Sequence, residues 1–264
     1  MNAQPTATLP RGGPNASWLD RQFETDELEY LDRDDAPDEV KQSVIRMLDR
    51  LGTKFHLHEQ SACVAIDLVS DIPHPRILEL GAGHGQLSAQ ILKLHPTATL
   101  TVSDLDPTSV ANIAAGELGA NPRVDIQVID ATSIDATNDS YDLVVFSQAF
   151  HHLPPAVAHR AITEGTRVAK RFLVLDLERQ SPWTLMLMTA LKPAVQLLVL
   201  PFSSLRPLIH DAYISALRAY SPSAFEALAR AADPAMQTAI LRPFKGFGPQ
   251  SVAVIYSRPE SPEP

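Results

Sequence analysis

With 264 residues, 45% of them hydrophobic, and a formal net charge of −9, the chain can build one large α/β core but not two comfortable ones. The acidic balance, with no block of basic residues, argues against a nucleic-acid backbone as the main partner, because phosphate binding depends on clustered lysines and arginines. One cysteine, Cys63, excludes an internal disulfide framework; with no secretory signal visible at the N-terminus, it points to a cytoplasmic protein.

Residues 1–17 are rich in Pro, Gly, Ala, Thr and Asn without an apolar period, which predicts a flexible tail. Residues 18–72 read as a helical cover. Its first clear helix spans 37–52, with Val40, Val44, Met47, Leu48 and Leu51 on one face and Gly52 as its stop. A second helix runs from about His58 to Val69, and Cys63 on it reads as a packed core residue. Residues 73–258 form the main domain. There the apolar runs 76–80, 99–104, 125–129, 142–147 and 171–177 alternate with helical stretches 86–94, 107–118 and 155–169. Continuous apolar strands separated by such helices predict a parallel sheet covered on both faces. The alternation breaks after residue 180. A helical lid is expected over 182–221, opening on a long apolar helix (182–200), and a further helix follows at 222–232. Strands 236–242 and 250–256 flank Phe244 to Pro249 as a terminal hairpin, and 259–264 should fray.

The most informative segment runs from Ile77 to Gln86. An aliphatic strand stops at an acid and breaks into glycines at every second position, as where backbone must approach a ligand before a helix begins. A dinucleotide fingerprint requires a third glycine at position 86, where Gln86 stands. The pattern is instead Gly81, Gly83 and Gly85 with Glu79 two residues upstream. Asp104 ends the second strand, where a carboxylate can accept from two ribose hydroxyls or cap the following helix. Asp106 is an alternative ribose acid, and Pro107 suits the first turn of the next helix. Asp130 follows the third strand, as a base-reading acid or an Asx-turn. Three carboxylates at three successive strand ends share one sheet edge, where ligands bind in open α/β sheets; a nicotinamide site needs only one. The fourth strand leads through Ser147 into Phe150-His151-His152-Leu153-Pro154. An imidazole there can deprotonate a hydroxyl near neutral pH, or simply orient the loop.

The glycine and acid pattern resembles the first motif of class I S-adenosylmethionine-dependent methyltransferases, and the His-His-Leu-Pro run is similar to a fourth-motif variant of their small-molecule members. The resemblance implies a seven-stranded, mostly parallel, doubly wound α/β sheet with a C-terminal antiparallel hairpin, N-terminal helices and a helical lid after strand five. It implies S-adenosylmethionine as cofactor. Glu79, Gly81, Ala82, Gly83 and Gly85 would hold its methionine portion, and Asp104 its ribose. Leu105 would flank the adenine, and Asp130 and Ala131 would read its edge, with Ser147 completing the set. The implied reaction is in-line methyl transfer to a small, apolar acceptor at oxygen or carbon, with His151 or His152 as base for oxygen. The Asn-Pro-Pro-Tyr tetrad that orients nucleobase amines is absent. The rival reading is a non-catalytic cofactor-binding sensor or partner subunit.

Three features invite other readings. Residues 183–202 are nearly long enough to cross a bilayer, but Lys192, Pro193 and Gln196 make spanning costly, so a buried lid or self-association surface is expected. His56 and His58 point apart on a helix, and no metal site is assigned. His84 receives no role. The expected partner is a small molecule, with neither nucleic acid nor a stable membrane span, and self-association into a homo-oligomer stays open.

Overall fold

The computed structural model describes residues 8–202, 205–243 and 250–259. Seven strands, β1 (Arg76–Leu80), β2 (Thr99–Asp104), β3 (Val124–Val128), β4 (Tyr141–Ser147), β5 (Ala169–Leu177), β6 (Gln237–Leu241) and β7 (Ser251–Ser257), form one sheet in the order β3-β2-β1-β4-β5-β7-β6. The first five are parallel, and β7 runs antiparallel to both β5 and β6. This is the expected seven-stranded architecture. The turn at Phe244 to Pro249, read above as the hairpin connection, and the end from residue 260 lie outside the described residues.

The helices are α1 (Trp18–Arg21), α2 (Asp38–Lys54), α3 (Leu57–Asp67), α4 (Gln86–Leu94), α5 (Pro107–Ala115), α6 (Pro155–Val168), α7 (Pro182–Leu198), α8 (Leu205–Arg218) and α9 (Pro222–Ala232). Side chains alternate across each strand, so the central strands feed two cores. Leu78, Leu80, Val144, Phe146, Phe172 and Val174 pack with residues of α6 and α9 on one face. Ile77, Leu143, Val145 and Leu173 pack with residues of α3 and α4 on the other. Burial on both faces explains why these strands are continuous apolar runs.

Several local expectations are corrected. Helix α2 does not stop at Gly52. A Cβ there would overlap the His58 ring, so glycine serves the close packing of α2 on α3, and the reversal falls at His56, whose φ is 56°. Residues 8–17 are not a free tail: Leu9 joins the main core and Arg11 is buried against the loop after β4. Cys63 is exposed, on the outward side of α3. Helix α7 is not a buried lid either. Leu185 is its one buried residue, while Trp183, Leu187, Leu197 and Leu198 are exposed. Among the described residues no helix is long and apolar enough to cross a membrane. The region after α7 holds α8, whose inner face is mixed: Asp211, Ser215 and Arg218 are buried beside Ile214 and Leu217, which interrupts the apolar period that marks a helix in sequence.

Candidate active site

The five parallel strands end on one edge, and β1 and β4 are neighbours in the centre although they are not consecutive in the chain. Strand order therefore reverses there, and the crevice above β1 and β4 is where such sheets take ligands. The glycine turn occupies it. Gly81, Gly83 and Gly85 have φ of 62°, 58° and 73°, a region that other residues enter at a cost of about 1–2 kcal/mol. At Gly81 space is short as well, because a Cβ would stand 2.8 Å from Phe146 Cε2 and 3.3 Å from Ala149. At Gly83 the nearest side-chain atom is Ile45 Cγ2 at 3.5 Å, so backbone conformation and close approach, not packing, favour glycine. Ala82 fixes the turn to β2 by donating its N–H to the Ser103 carbonyl at 2.9 Å.

Two carboxylates frame this turn. Glu79 is buried, and its Oε2 accepts from the Ser88 N–H at 3.1 Å and from the Ser88 hydroxyl, which ties the first turn of α4 to β1. Burial pushes its pKa up to about 7 despite those hydrogen bonds, and the charges of Asp104 and Asp49 push the same way. Asp104 accepts from the Gly83 N–H at 2.8 Å through Oδ2 and from the Asp106 N–H at 2.9 Å through Oδ1. Its pKa is also raised, chiefly by burial. Among the described residues neither acid forms an ion pair. Asp106, read above as an alternative ribose acid, is the N-cap of α5, accepting from Thr108 and Ser109 N–H at 3.0 and 3.2 Å. Leu105 between the two acids is exposed beside the crevice.

Asp130 stands two residues beyond β3, exposed, with Oδ1 accepting from the Thr132 N–H and hydroxyl, both at 2.8 Å. The Asx-turn is therefore formed, and Ala131 is held at its tip. Ser147 ends β4, one position beyond the Leu80–Phe146 pairing, so it faces the start of the glycine turn.

The N-terminal cover meets the site at two points that sequence reading missed. Gln42 and Asp49 of α2 grip the glycine turn through His84, whose Nδ1 lies 2.6 Å from Asp49 Oδ2 and whose Nε2 lies 2.8 Å from Gln42 Oε1. The spacing of Gln42, Ile45 and Asp49 is helical, but nothing in it names a partner 35 residues away. The second point is Glu29 with Asp32. Both come from the segment preceding α2, and both reach the histidine loop after β4.

That loop is a 3-10 turn, Phe150–His152. His151 is buried, and Asp176 at the end of β5 accepts from its backbone N–H and from Nδ1, both at 2.7 Å. Its Nε2 lies 3.4 Å from Glu29 Oε1. Burial alone would lower this imidazole's pKa, but Asp176 and Glu29 outweigh it and raise the pKa to about 10. His152 is partly exposed, with Nδ1 2.8 Å from Asp32 Oδ2 and Nε2 3.6 Å from Glu29 Oε2. Arg218 of α8 pairs with Asp32 at 2.8 Å and binds the His152 carbonyl, and Arg11 donates to the His151 carbonyl at 2.9 Å.

Comparison with known proteins follows this geometry. Residues 77–171, from β1 into β5, match a family described as "Methyltransferase domain". The chain is 33% identical over 93 residues to the malonyl-[acyl-carrier protein] O-methyltransferase of Geobacter sulfurreducens, which is 35% of this chain and 34% of that protein. It is 29% identical over 93 residues to the ribosomal RNA small subunit methyltransferase C of Pseudomonas entomophila, covering 35% of this chain and 27% of that protein. The chain thus spans about a third or less of the length of these relatives. Among solved structures, the plantazolicin methyltransferase BpumL in complex with SAH superposes with a TM-score of 0.58, 15% identity and 95% coverage of both chains. The methyltransferase domain of a bacterial Hen1 superposes with a TM-score of 0.55 and 13% identity, over 76% of this chain and 99% of that one. Residues 77–171 are thus similar to a methyltransferase domain, and the chain shares its fold with solved methyltransferases.

Proposed function

We propose that the chain binds S-adenosylmethionine at the mouth of β1 and β2 and transfers its methyl group to a small, apolar acceptor at oxygen or carbon. The observation that carries this reading is the pair Glu79 and Asp104. Both carboxylates are largely enclosed, both have raised pKa values, and neither is paired with a cationic side chain among the described residues. Buried acids left in this state are stabilised by a ligand that brings positive charge. S-adenosylmethionine brings an ammonium and a sulfonium, so the donor set fits it. When bound, it supplies an electrophilic methyl group, displaced in line with departure of a neutral thioether.

Each residue then has a place in the reading. The glycine turn with Ala82 lets backbone approach the amino-acid end. Asp104 keeps its hold on Gly83 while receiving the ribose hydroxyls, with Leu105 against the adenine. Asp130 and Ala131, fixed by the Asx-turn, read the adenine edge, and Ser147 borders the methyl position. Of the two histidines, His152 is the better base for an oxygen acceptor, because His151 is enclosed and held protonated by Asp176 and Glu29. The Ser147-Gln148-Ala149-Phe150 run offers no paired acceptors for a nucleobase amine, and the net charge of −9 disfavours RNA. The same reading keeps the protein in a reducing, cytoplasmic setting.

Incubation of the purified chain with methyl-labelled S-adenosylmethionine and a fractionated small-molecule extract tests this. Label should move into an organic-soluble product. A protein that binds the demethylated cofactor but labels no fraction would be the sensor or partner subunit instead.

A further inference from the structure

The histidine loop holds an arrangement that methyl transfer does not require. Two imidazoles lie 4.4 Å apart between ring centroids, and each has its Nδ1 committed to a different carboxylate, His151 to Asp176 and His152 to Asp32. A carboxylate at Nδ1 fixes a proton there and turns Nε2 outward, as the atom at which a metal ion takes the place of a proton. Both Nε2 atoms then point at the same third carboxylate, Glu29, at 3.4 Å from one oxygen and 3.6 Å from the other. These separations are too long for good hydrogen bonds, and the enclosed Nε2 of His151 has no hydrogen-bond partner. Two donors bound to one tetrahedral ion at ~2.1 Å each stand about 3.4 Å apart, close to the separation of each Nε2 from its nearer Glu29 oxygen. One donor atom from each of Glu29, His151 and His152 lies within 4.8 Å of the others.

We propose that Glu29, His151 and His152 form a mononuclear site for a divalent transition-metal ion of the zinc class, with a remaining coordination position open to water or an oxygen ligand. Two imidazoles and one carboxylate select such an ion over magnesium or calcium, which take all-oxygen sets. The surroundings serve this assignment. Ser215 donates to Glu29 Oε1 at 3.0 Å and orients it. Arg11 and Arg218 bind the backbone carbonyls of His151 and His152 from outside the cluster, fixing the loop that carries both ligands. The fold brings the N-terminal cover to the loop after β4, joining residues far apart in the chain, which is why no ligand spacing is visible in the sequence. The site stands independently of cofactor binding. An ion held there turns His152 from a base into a ligand.

The test uses the full chain, stripped with a chelator and titrated with Co2+ as a coloured probe, then with Zn2+ in competition. One Co2+ per chain should give visible d–d absorption that Zn2+ displaces. Glu29→Gln and His152→Gln should each weaken binding at least tenfold, with near-ultraviolet circular dichroism confirming that both variants fold. Cys63→Ser and His56→Ala should leave binding unchanged. The proposal is overturned if no d–d bands form, if binding survives both ligand substitutions, or if it disappears in Cys63→Ser. Absorbance reads the ion alone, so binding of the demethylated cofactor can be scored separately on the same samples.

Discussion

The two halves of the ligand-bearing sheet edge handle charge in opposite ways. Above β1 and β2, Glu79 and Asp104 are enclosed with raised pKa values and only neutral donors for company. Above β4 and β5, the acids Asp176, Glu29 and Asp32 have lowered pKa values. Burial opposes that shift in each case, and the facing histidines, with Arg218 beside Asp32, overcome it. In the first half no cationic side chain faces the acids among the described residues, whereas in the second histidines and Arg218 face them. On the proposed function, the unpaired acids mark the cofactor end and the polar network the acceptor end.

Substitutions should separate the halves, beginning with the largest effect. Asp176→Asn leaves the buried His151 without its main partner and should cost about 3–5 kcal/mol of stability, read by denaturant unfolding. Retention of wild-type stability would show that the network is not a closed ion-pair system. Gly81→Val combines a forbidden φ with overlap on Phe146 and should cost roughly 3 kcal/mol. Binding of the demethylated cofactor should fall at least a hundredfold, measured by calorimetry on whatever fraction remains folded.

Glu79 gives a pH signature. Its folded-state pKa of about 7 lies above the ordinary 4.5, so the folded chain holds that proton more tightly than the unfolded one. The stability this group contributes is fully present below pH 4.5, declines as pH rises to about 7, and is level above that. The decline is on the order of 3 kcal/mol. Thermal melts of Glu79→Gln against wild type across that window should differ most at pH 8, where the neutral variant is the more stable without ligand. Parallel melting curves at all pH values would contradict the uncompensated-acid account. The smallest effect is expected far from both halves. Leu197→Ser and Leu198→Ser on the exposed end of α7 should each change stability by less than about 0.5 kcal/mol.

The same contrast explains what could be read in advance. The sheet was legible because its central strands are buried on both faces and so carry apolar runs, as Leu143 to Phe146 of β4 and Phe172 to Leu175 of β5 do. The glycine turn was legible because Gly81, Gly83 and Gly85 act within a few residues of the strand that carries Glu79. What escaped was non-local or polar. Gln42, Asp49 and Glu29 owe their roles to partners distant in the chain. Helix α8 turns Asp211, Ser215 and Arg218 inward, so hydropathy conceals it. Arg11 looked like part of a tail because a buried cation over Tyr220 leaves no periodic trace. Asp106 was ambiguous beside Asp104, since either could cap α5, and only the hydrogen-bond geometry separates them.

The most direct measurement is calorimetric titration of the demethylated cofactor into the wild-type chain and into Asp104→Ala. One ligand per wild-type chain, weakened about 10- to 100-fold by the substitution, is the predicted result. Equal affinity in both proteins, or no binding to either, would place the cofactor elsewhere or remove it altogether.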